Sequence, residues 1–138
     1  MKRLLSTSIA TLALAAGLVI STSSPAAAAS APGCSTVVQI GDTAYIKAGG
    51  QTAVSVKQFK GCAKNWAYAY VWQSFRDAHS SWQIGAGIQT SSRVLGFKLS
   101  TGNEVWSEGT NTLNVCTQAY GVLTWNGSDY EGWTDIRC

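Results

Sequence analysis

The stretch Trp66-Ala67-Tyr68-Ala69-Tyr70-Val71-Trp72 decides how this chain folds, because large aromatic and small side chains alternate strictly along it. A period of two is the pattern of a β-strand, whose successive side chains point to opposite faces of its sheet. The four rings therefore share one face, and the small side chains share the other. We expect the rings to fill the core while the small face packs against another layer. The alternative is an exposed ladder of rings that serves protein binding or sugar stacking.

The chain around this stretch consists of short extended segments separated by turn residues, with no helical periodicity long enough to compete. Asn126-Gly127 is the strongest hairpin signal. We predict an all-β fold, a single small disulfide-stabilised barrel or sandwich built mainly from a meander. The predicted strands are Ser35–Ile40, Thr43–Lys47, Thr52–Phe59, Trp66–Phe75, Trp82–Gln89, Arg93–Leu99, Val105–Ser107, Leu113–Trp125 with one break, and Tyr130–Arg137.

The four cysteines, Cys34, Cys62, Cys116 and Cys138, permit three disulfide pairings, and the sequence does not select one of them. We favour the local pairs, Cys34 with Cys62 and Cys116 with Cys138. Each would close a loop of roughly 20 to 30 residues and contribute about 3 to 4 kcal/mol in the chain-entropy model. Paired cysteines are not free to bind a metal or to act as nucleophiles.

Residues 1–31 have the pattern of a secretory signal peptide. Lys2 and Arg3 precede an apolar run, and an alanine-rich stretch ends at Ala29-Ser30-Ala31. Cleavage near Ala29 or Ala31 would leave one secreted, extracellular domain over residues 32–138, with no membrane insertion after export. The formal net charge of +3 would then fall to about +1, which gives no support to a nucleic-acid partner.

No catalytic centre, metal site or cofactor is expected. The pair Glu104 and Glu108 flanks Trp106 on one strand face, whereas glycoside hydrolysis needs two carboxyl groups facing each other across a sugar-sized cleft. His79 is the only histidine, and we expect it in a solvated loop over residues 76–81, without a working triad. A lone histidine and oxidised cysteines do not form a metal-ligand set.

The segment Val54-Ser-Val-Lys-Gln-Phe59-Lys-Gly-Cys62-Ala-Lys-Asn-Trp66-Ala resembles small secreted four-cysteine proteins of filamentous Gram-positive bacteria. This resemblance implies that Trp66 is a core residue beside the Cys62 bridge. In size, export signal, cysteine number and β content the chain is also similar to the small adaptor subunit of umbrella toxin particles, which is thought to join a lectin-like subunit to a long stalk protein. That similarity implies an adaptor role, and no binding residue is carried over from it.

The sequence favours a non-catalytic domain that binds other secreted proteins. Six tryptophans and five tyrosines are more rings than a small core must bury, and the remainder would form an interface. One alternative is a carbohydrate-binding module, with a sugar platform of tryptophans. Another is an inhibitor of a secreted enzyme, with the His79 loop as its rigid exposed loop. A small hydrolase is the third class. The candidate binding residues are Trp72, Trp82, Trp106, Trp125 and Tyr130.

Overall fold

The computed structural model describes residues 28–138, so the predicted signal peptide lies outside the described residues up to residue 27. The last four residues of that predicted leader form the first strand. In chain order, the elements of the described part are β1 Ala28–Ala31, β2 Cys34–Ala48, β3 Gln51–Gly61, β4 Lys64–Val71, α1 Gln73–Ala78, β5 Gln83–Gln89, β6 Val94–Ser100, β7 Glu104–Trp106, β8 Gln118–Trp125 and β9 Ser128–Trp133.

The strands form two antiparallel sheets, which confirms the predicted all-β class. Sheet A has the order β1-β2-β3-β4-β7, and sheet B has the order β6-β5-β8-β9. The chain passes from sheet A to sheet B through α1, returns to sheet A for β7 and finishes in sheet B. Within each sheet, strands that follow one another in the chain pair as antiparallel hairpins. The connections that pass between the sheets place the two layers against each other.

Two-residue turns with positive φ at both positions close the tightest hairpins. Asn126 and Gly127, with φ of 52° and 77°, join β8 to β9, as their sequence predicts. The turn between β3 and β4 consists of Cys62 and Ala63, with φ of 52° and 57°. Cys62 has no sequence preference for this conformation, and its bond to Cys34 holds it there.

Two predicted boundaries are wrong. The strand expected to continue to Phe75 ends at Val71, and a six-residue helix, α1, buries Phe75 completely in the core. The glycine at position 41 does not end a strand. It falls in an irregularity of the register between Ile40 and Ala44, inside one 15-residue strand, β2. A bulge absorbs such a residue without breaking the strand.

The two C-terminal strands are also shorter than expected. The segment from Leu113 joins sheet B only at Gln118, and the last strand ends at Trp133. Beyond it, the backbone groups of Thr117 and Arg137 bond reciprocally at 2.7 Å as an isolated bridge.

Among the described residues, the main core between the sheets contains small and branched side chains and one fully buried ring, Phe75, with Trp82, Trp125 and Tyr130 packed half-buried against it. Gly121 and Gly132 of sheet B face the side chains of Val56 and Ile46 of sheet A. A Cβ at Gly132 would lie 2.8 Å from the Ile46 side chain, and one at Gly121 would collide with Val56. The layers therefore approach closely, and little space for rings remains between them.

Both predicted disulfides are present, Cys34–Cys62 and Cys116–Cys138. They lie at the same end of the sandwich, where the Asn65 side chain donates a 2.9 Å hydrogen bond to Thr112 Oγ1. We call this the disulfide end. The opposite end, which carries α1 and the β8–β9 turn, is the helix end.

Candidate functional site

The aromatic ladder of β4 points away from the main core between the sheets, which overturns our expectation that its rings fill that core; only Trp66 is buried, in a second, smaller core. Ala67, Ala69 and Val71 are fully buried against sheet B. The rings occupy the outer face of sheet A, where Tyr68 pairs across strands with Lys57 and with Trp106. We call this surface face A. Its members are Tyr45, Ser55, Lys57, Tyr68, Tyr70, Trp72, Glu104 and Trp106.

Exposure increases along the ladder from the disulfide end to the helix end. Trp66 is only 6% exposed and packs in a second, smaller core with Phe59, Val37 and Cys34. Its indole N–H donates to the carbonyl of Gly61 at 3.0 Å. Trp66 is thus the buried tryptophan beside the first disulfide that the resemblance implied. Tyr68 and Tyr70 are half-buried, and Trp72 is 40% exposed.

The open end of face A is formed by Trp72 and Tyr45, the latter 57% exposed. Their ring centroids lie 6.4 Å apart with a 45° tilt. The Trp72 N–H donates at 2.8 Å to Oγ of Ser55, a residue buried beneath it. This bond fixes the indole orientation before any partner arrives, which lowers the entropy that binding must overcome.

The middle of face A joins a ring pair to a carboxylate. Tyr68 and Trp106 have centroids 4.7 Å apart, and the Tyr68 hydroxyl donates to Glu104 at 2.5 Å. Burial raises the pKa of the Tyr68 phenol far above its usual range, and the bond to Glu104 raises that pKa further. Tyr68 is therefore a neutral hydrogen-bond donor at every physiological pH.

Helix α1 supplies a cation to the same face. The Arg76 guanidinium lies 5.7 Å from the centroid of Tyr70, and one of its nitrogens donates to the Tyr70 hydroxyl at 3.0 Å. A further N–H of Arg76 bonds the carbonyl of Val71 at 3.2 Å. Arg76, Lys47 and Lys57 make the aromatic surface basic around its rings.

A second row of rings crosses the outer face of sheet B. The centroids of Phe97 and Tyr120 are 6.1 Å apart, and those of Tyr120 and Trp133 are 5.3 Å apart. Phe97 lies over Gly85 and Gly87, where any side chain would collide with it or with its neighbours. We call this surface face B. Its members are Phe97, Leu99, Tyr120, Val122, Asp129, Glu131 and Trp133.

Face B carries carboxylates where face A carries cations. The Tyr120 hydroxyl donates to Glu131 at 2.6 Å, and the Thr124 hydroxyl donates to Asp129 at 2.6 Å. Burial, followed by the bond to Glu131, raises the pKa of Tyr120 to about 12. Phe97 and Trp133 are 41% and 44% exposed, so both ends of this row meet solvent.

The five candidate binding residues separate into two groups. Trp72 and Trp106 lie on face A. Trp82, Trp125 and Tyr130 pack half-buried against the main core at the helix end, where Trp125 contacts Phe75 at a centroid distance of 5.4 Å. This second group supports the fold, and among the five only Trp72 is exposed.

His79 is not the solvated loop residue that we expected. Its ring is half-buried between Phe75 and Trp125, with centroid distances of 4.5 and 4.4 Å. The neighbouring Ser80 and Ser81 are exposed. The imidazole therefore anchors this loop to the core.

Glu104 and Glu108 are not aligned on a common strand face. Glu104 accepts from Tyr68 on face A, whereas Glu108 forms an ion pair with Lys98 of sheet B at 3.1 Å. The strand ends at Trp106, and the backbone N–H of Glu108 already bonds to Gly96 of β6. The two carboxylates are thus engaged by different sheets.

Within residues 28–138, no group of three or more His, Cys, Asp or Glu side chains could hold a metal ion. None of the helices in that range is long and apolar enough to cross a membrane.

Sequence reasoning missed Tyr45 on face A and the whole row of face B. The pattern Gly85-Ala86-Gly87 inside a strand was a usable signal, because paired glycines on one strand face leave space for a ring from a neighbouring strand. Which ring fills that space depends on the strand order of sheet B, which the local pattern does not contain.

None of the protein-family models, curated proteins and solved structures compared with this chain matches it.

Proposed function

We propose that this chain is a secreted, non-catalytic protein-binding domain that works as an adaptor in an extracellular assembly. The observation that carries the proposal is the outward position of the β4 rings, with alanines in the core beneath them. A strand that needed rings only for stability would turn them inward, where burial stabilises most. Two disulfides and the leader pattern of residues 1–31 support export.

The adaptor role is favoured over a single-partner role because rings lie on both outer faces. Face A and face B belong to different sheets with the main core between them, so two partners can bind without touching each other. Exposed tyrosine and tryptophan are the residues that most often dominate protein interfaces. The similarity to the adaptor subunit of umbrella toxin particles supports the same class, and a toxin particle is the assembly that we propose.

Protein is favoured over glycan as the ligand of the closely spaced rings. Rings with centroids about 5 Å apart cannot lie side by side in one plane, so they cover part of each other's faces. This holds for Tyr68 with Trp106 and for Tyr120 with Trp133. A sugar stacks on an open ring face, whereas a protein surface also packs against ring edges and hydroxyl groups.

The experiment is capture of partners from the producer's culture supernatant by the tagged mature protein and by three variants. Tyr45→Ala removes an exposed ring from face A, and Trp133→Ala removes one from face B. Ile136→Ala is the matched control, because Ile136 is 65% exposed at the disulfide end and belongs to neither face. We expect large secreted partners in fixed ratio, with a different partner lost in each face variant and none lost in the control. Recovery of the protein alone, or losses common to all three variants, would contradict the adaptor proposal.

Carbohydrate binding is the second candidate, and the open pair Tyr45 and Trp72 is the observation in its favour. Here the test is tryptophan fluorescence of the wild type and of Trp72→Ala during titration with soluble glycans. A spectral shift that disappears in the variant would replace the protein-interface proposal with this one. No shift across a panel of glycans would exclude it.

A further inference from the structure

The charges of the sandwich are separated by sheet. Strands β2, β3 and β4 of sheet A contain four lysines, Lys47, Lys57, Lys60 and Lys64, against one carboxylate, Asp42. Lys60 lies on the opposite face of β3 from Lys57 and does not belong to face A. Strands β5, β8 and β9 of sheet B contain no lysine or arginine, and β9 carries Asp129 and Glu131. The domain thus has a positive side and a negative side.

The one cation on β6 does not disturb this separation. Lys98 is paired with Glu108 at 3.1 Å at the margin between the sheets. Face A also carries one carboxylate, Glu104, which accepts from the Tyr68 hydroxyl as Glu131 and Asp129 of face B accept from Tyr120 and Thr124. These hydrogen bonds leave the charge of each carboxylate in place. The cations Lys47 and Lys57 of sheet A and Arg76 of α1 outnumber Glu104 around face A, whereas the charged members of face B are the anions Asp129 and Glu131. The two faces therefore attract each other.

We infer that face A of one copy docks on face B of a second copy, so that the protein stacks head to tail. The occupant is a second copy because each face presents what the other lacks: a basic surface with rings on one side and an acidic surface with rings on the other. Like faces would bring equal charges together and repel each other. The inference does not rest on the proposed function, although a partner on either face would compete with stacking.

The geometry sets the form of the assembly. The two faces lie on opposite sides of one sandwich, so the contact is heterologous and each added copy exposes a new free face. A sheet face of four strands covers about 400 Å² on each side, which is below the size of a standard interface. Stacking is therefore weak, concentration-dependent and sensitive to salt.

The test is sedimentation velocity of the disulfide-bonded mature protein at concentrations up to about 1 mM, at low and at high salt. We expect the average mass to rise with concentration at low salt and the rise to disappear at high salt. Lys57→Glu or Glu131→Lys should each weaken association about tenfold. The double variant carrying both reversals should recover part of it, because the two reversed residues again carry opposite charges.

Matched controls keep the same charge changes away from the faces. Lys60→Glu lies on the same strand as Lys57 but on the opposite strand face, and Glu108→Lys lies at the sheet margin. Both should associate as the wild type does, and thermal melting should establish that every variant is folded. A monomer at all concentrations, a closed dimer, or association unchanged by Lys57→Glu and Glu131→Lys would overturn the inference.

Discussion

The outward direction of the β4 rings is set by residues that have almost no side chain. Gly121 and Gly132 allow β8 and β9 to approach Val56 and Ile46 closely. Val56 pairs with Ala69 of β4, so the close approach reaches the inner face of β4, where alanine side chains fit. The glycines of sheet B therefore determine which face of the ladder is exposed.

Gly121→Ala tests this close approach. The added methyl group would collide with Val56 across the interface between the sheets. We expect the free energy of unfolding to fall by about 1 to 3 kcal/mol, the usual cost of overpacking a core. Urea denaturation of the oxidised protein measures it.

Gly102→Ala is the control, because Gly102 is exposed and has only the Ser100 hydroxyl near its would-be Cβ, at 3.3 Å. It should leave stability almost unchanged. Adding Val56→Ala to Gly121→Ala should recover part of the lost stability relative to the sum of the two single changes. Equal stability of Gly121→Ala and the wild type would show that the sheets are not closely packed at this point.

Tyr120 should cause the free energy of unfolding to fall as the pH becomes strongly alkaline. Its folded pKa of about 12 exceeds the unfolded value of about 10, so the fold favours the neutral phenol. The resulting stabilisation is complete below pH 10 and is lost as the pH rises from about 10 through 12. Glu131→Gln removes the carboxylate that accepts from the phenol, and we expect it to lower the pKa of Tyr120 and to reduce this alkaline loss.

Absorbance titration of tyrosinate and urea melts at several alkaline pH values provide the two readouts. Glu108→Gln, which removes a carboxylate paired with Lys98, is the comparison variant. A Tyr120 titration that is identical in Glu131→Gln and the wild type would rule out the carboxylate as a cause of the raised pKa.

At the scale of elements, alternation predicted β4 and the residues that share each of its faces. It did not predict which face is buried, because that depends on the sheet packed against it. The helix α1 was missed because six residues are too few to display a period of 3.6. Phe75 fits the alternation of the preceding strand, yet it reaches the core from a helix.

The sequence predicted those residues of the candidate site that local patterns mark. It did not predict the row of rings that spans several strands. Trp72 and Trp106 were identified from local patterns, and both lie on face A. The row of face B joins Phe97 of β6 to Tyr120 of β8 and Trp133 of β9. Its strands are brought together by the order of sheet B, and no local spacing in the sequence records that order.

Trp125→Ala and Trp72→Ala should differ in their effect on folding. Trp125 packs against Phe75, His79 and Tyr130, so its truncation should cost about 3 kcal/mol. Trp72 is more exposed and should cost about 1 kcal/mol, chiefly through its bond to Ser55. Thermal and urea melts of both variants measure the difference. If Trp125→Ala were as stable as Trp72→Ala, Trp125 would belong with the binding residues.

At the scale of the whole molecule, both disulfides fasten the same end and differ in their exposure. In Cys116–Cys138 both residues are exposed, whereas in Cys34–Cys62 only Cys62 is exposed and Cys34 is 3% exposed in the smaller core. The sequence separations of 28 and 22 residues predict similar stabilisation, about 3 kcal/mol for each bond. The pairing was correctly favoured from spacing, but the difference in exposure required the fold.

Mild reduction should therefore open Cys116–Cys138 before Cys34–Cys62. Alkylation at increasing times, followed by peptide mass mapping, follows the two bonds separately. The double variant Cys116→Ser/Cys138→Ser should have a free energy of unfolding about 3 kcal/mol lower than that of the wild type, as measured by urea denaturation. Simultaneous labelling of all four cysteines, with no intermediate that retains one bond, would contradict this order.

The small side chains that separate β4 from sheet B have a consequence for how such a chain can change over generations. Exchanging Tyr45, Phe97 or Trp133 alters what the domain recognises but leaves the packing between the layers intact. Exchanging Ala69 or Gly121 disturbs that packing and gives no new specificity. Among descendants of this chain, the smallest residues should therefore diverge least and the exposed rings most, which reverses the usual expectation that large apolar side chains are the most constrained.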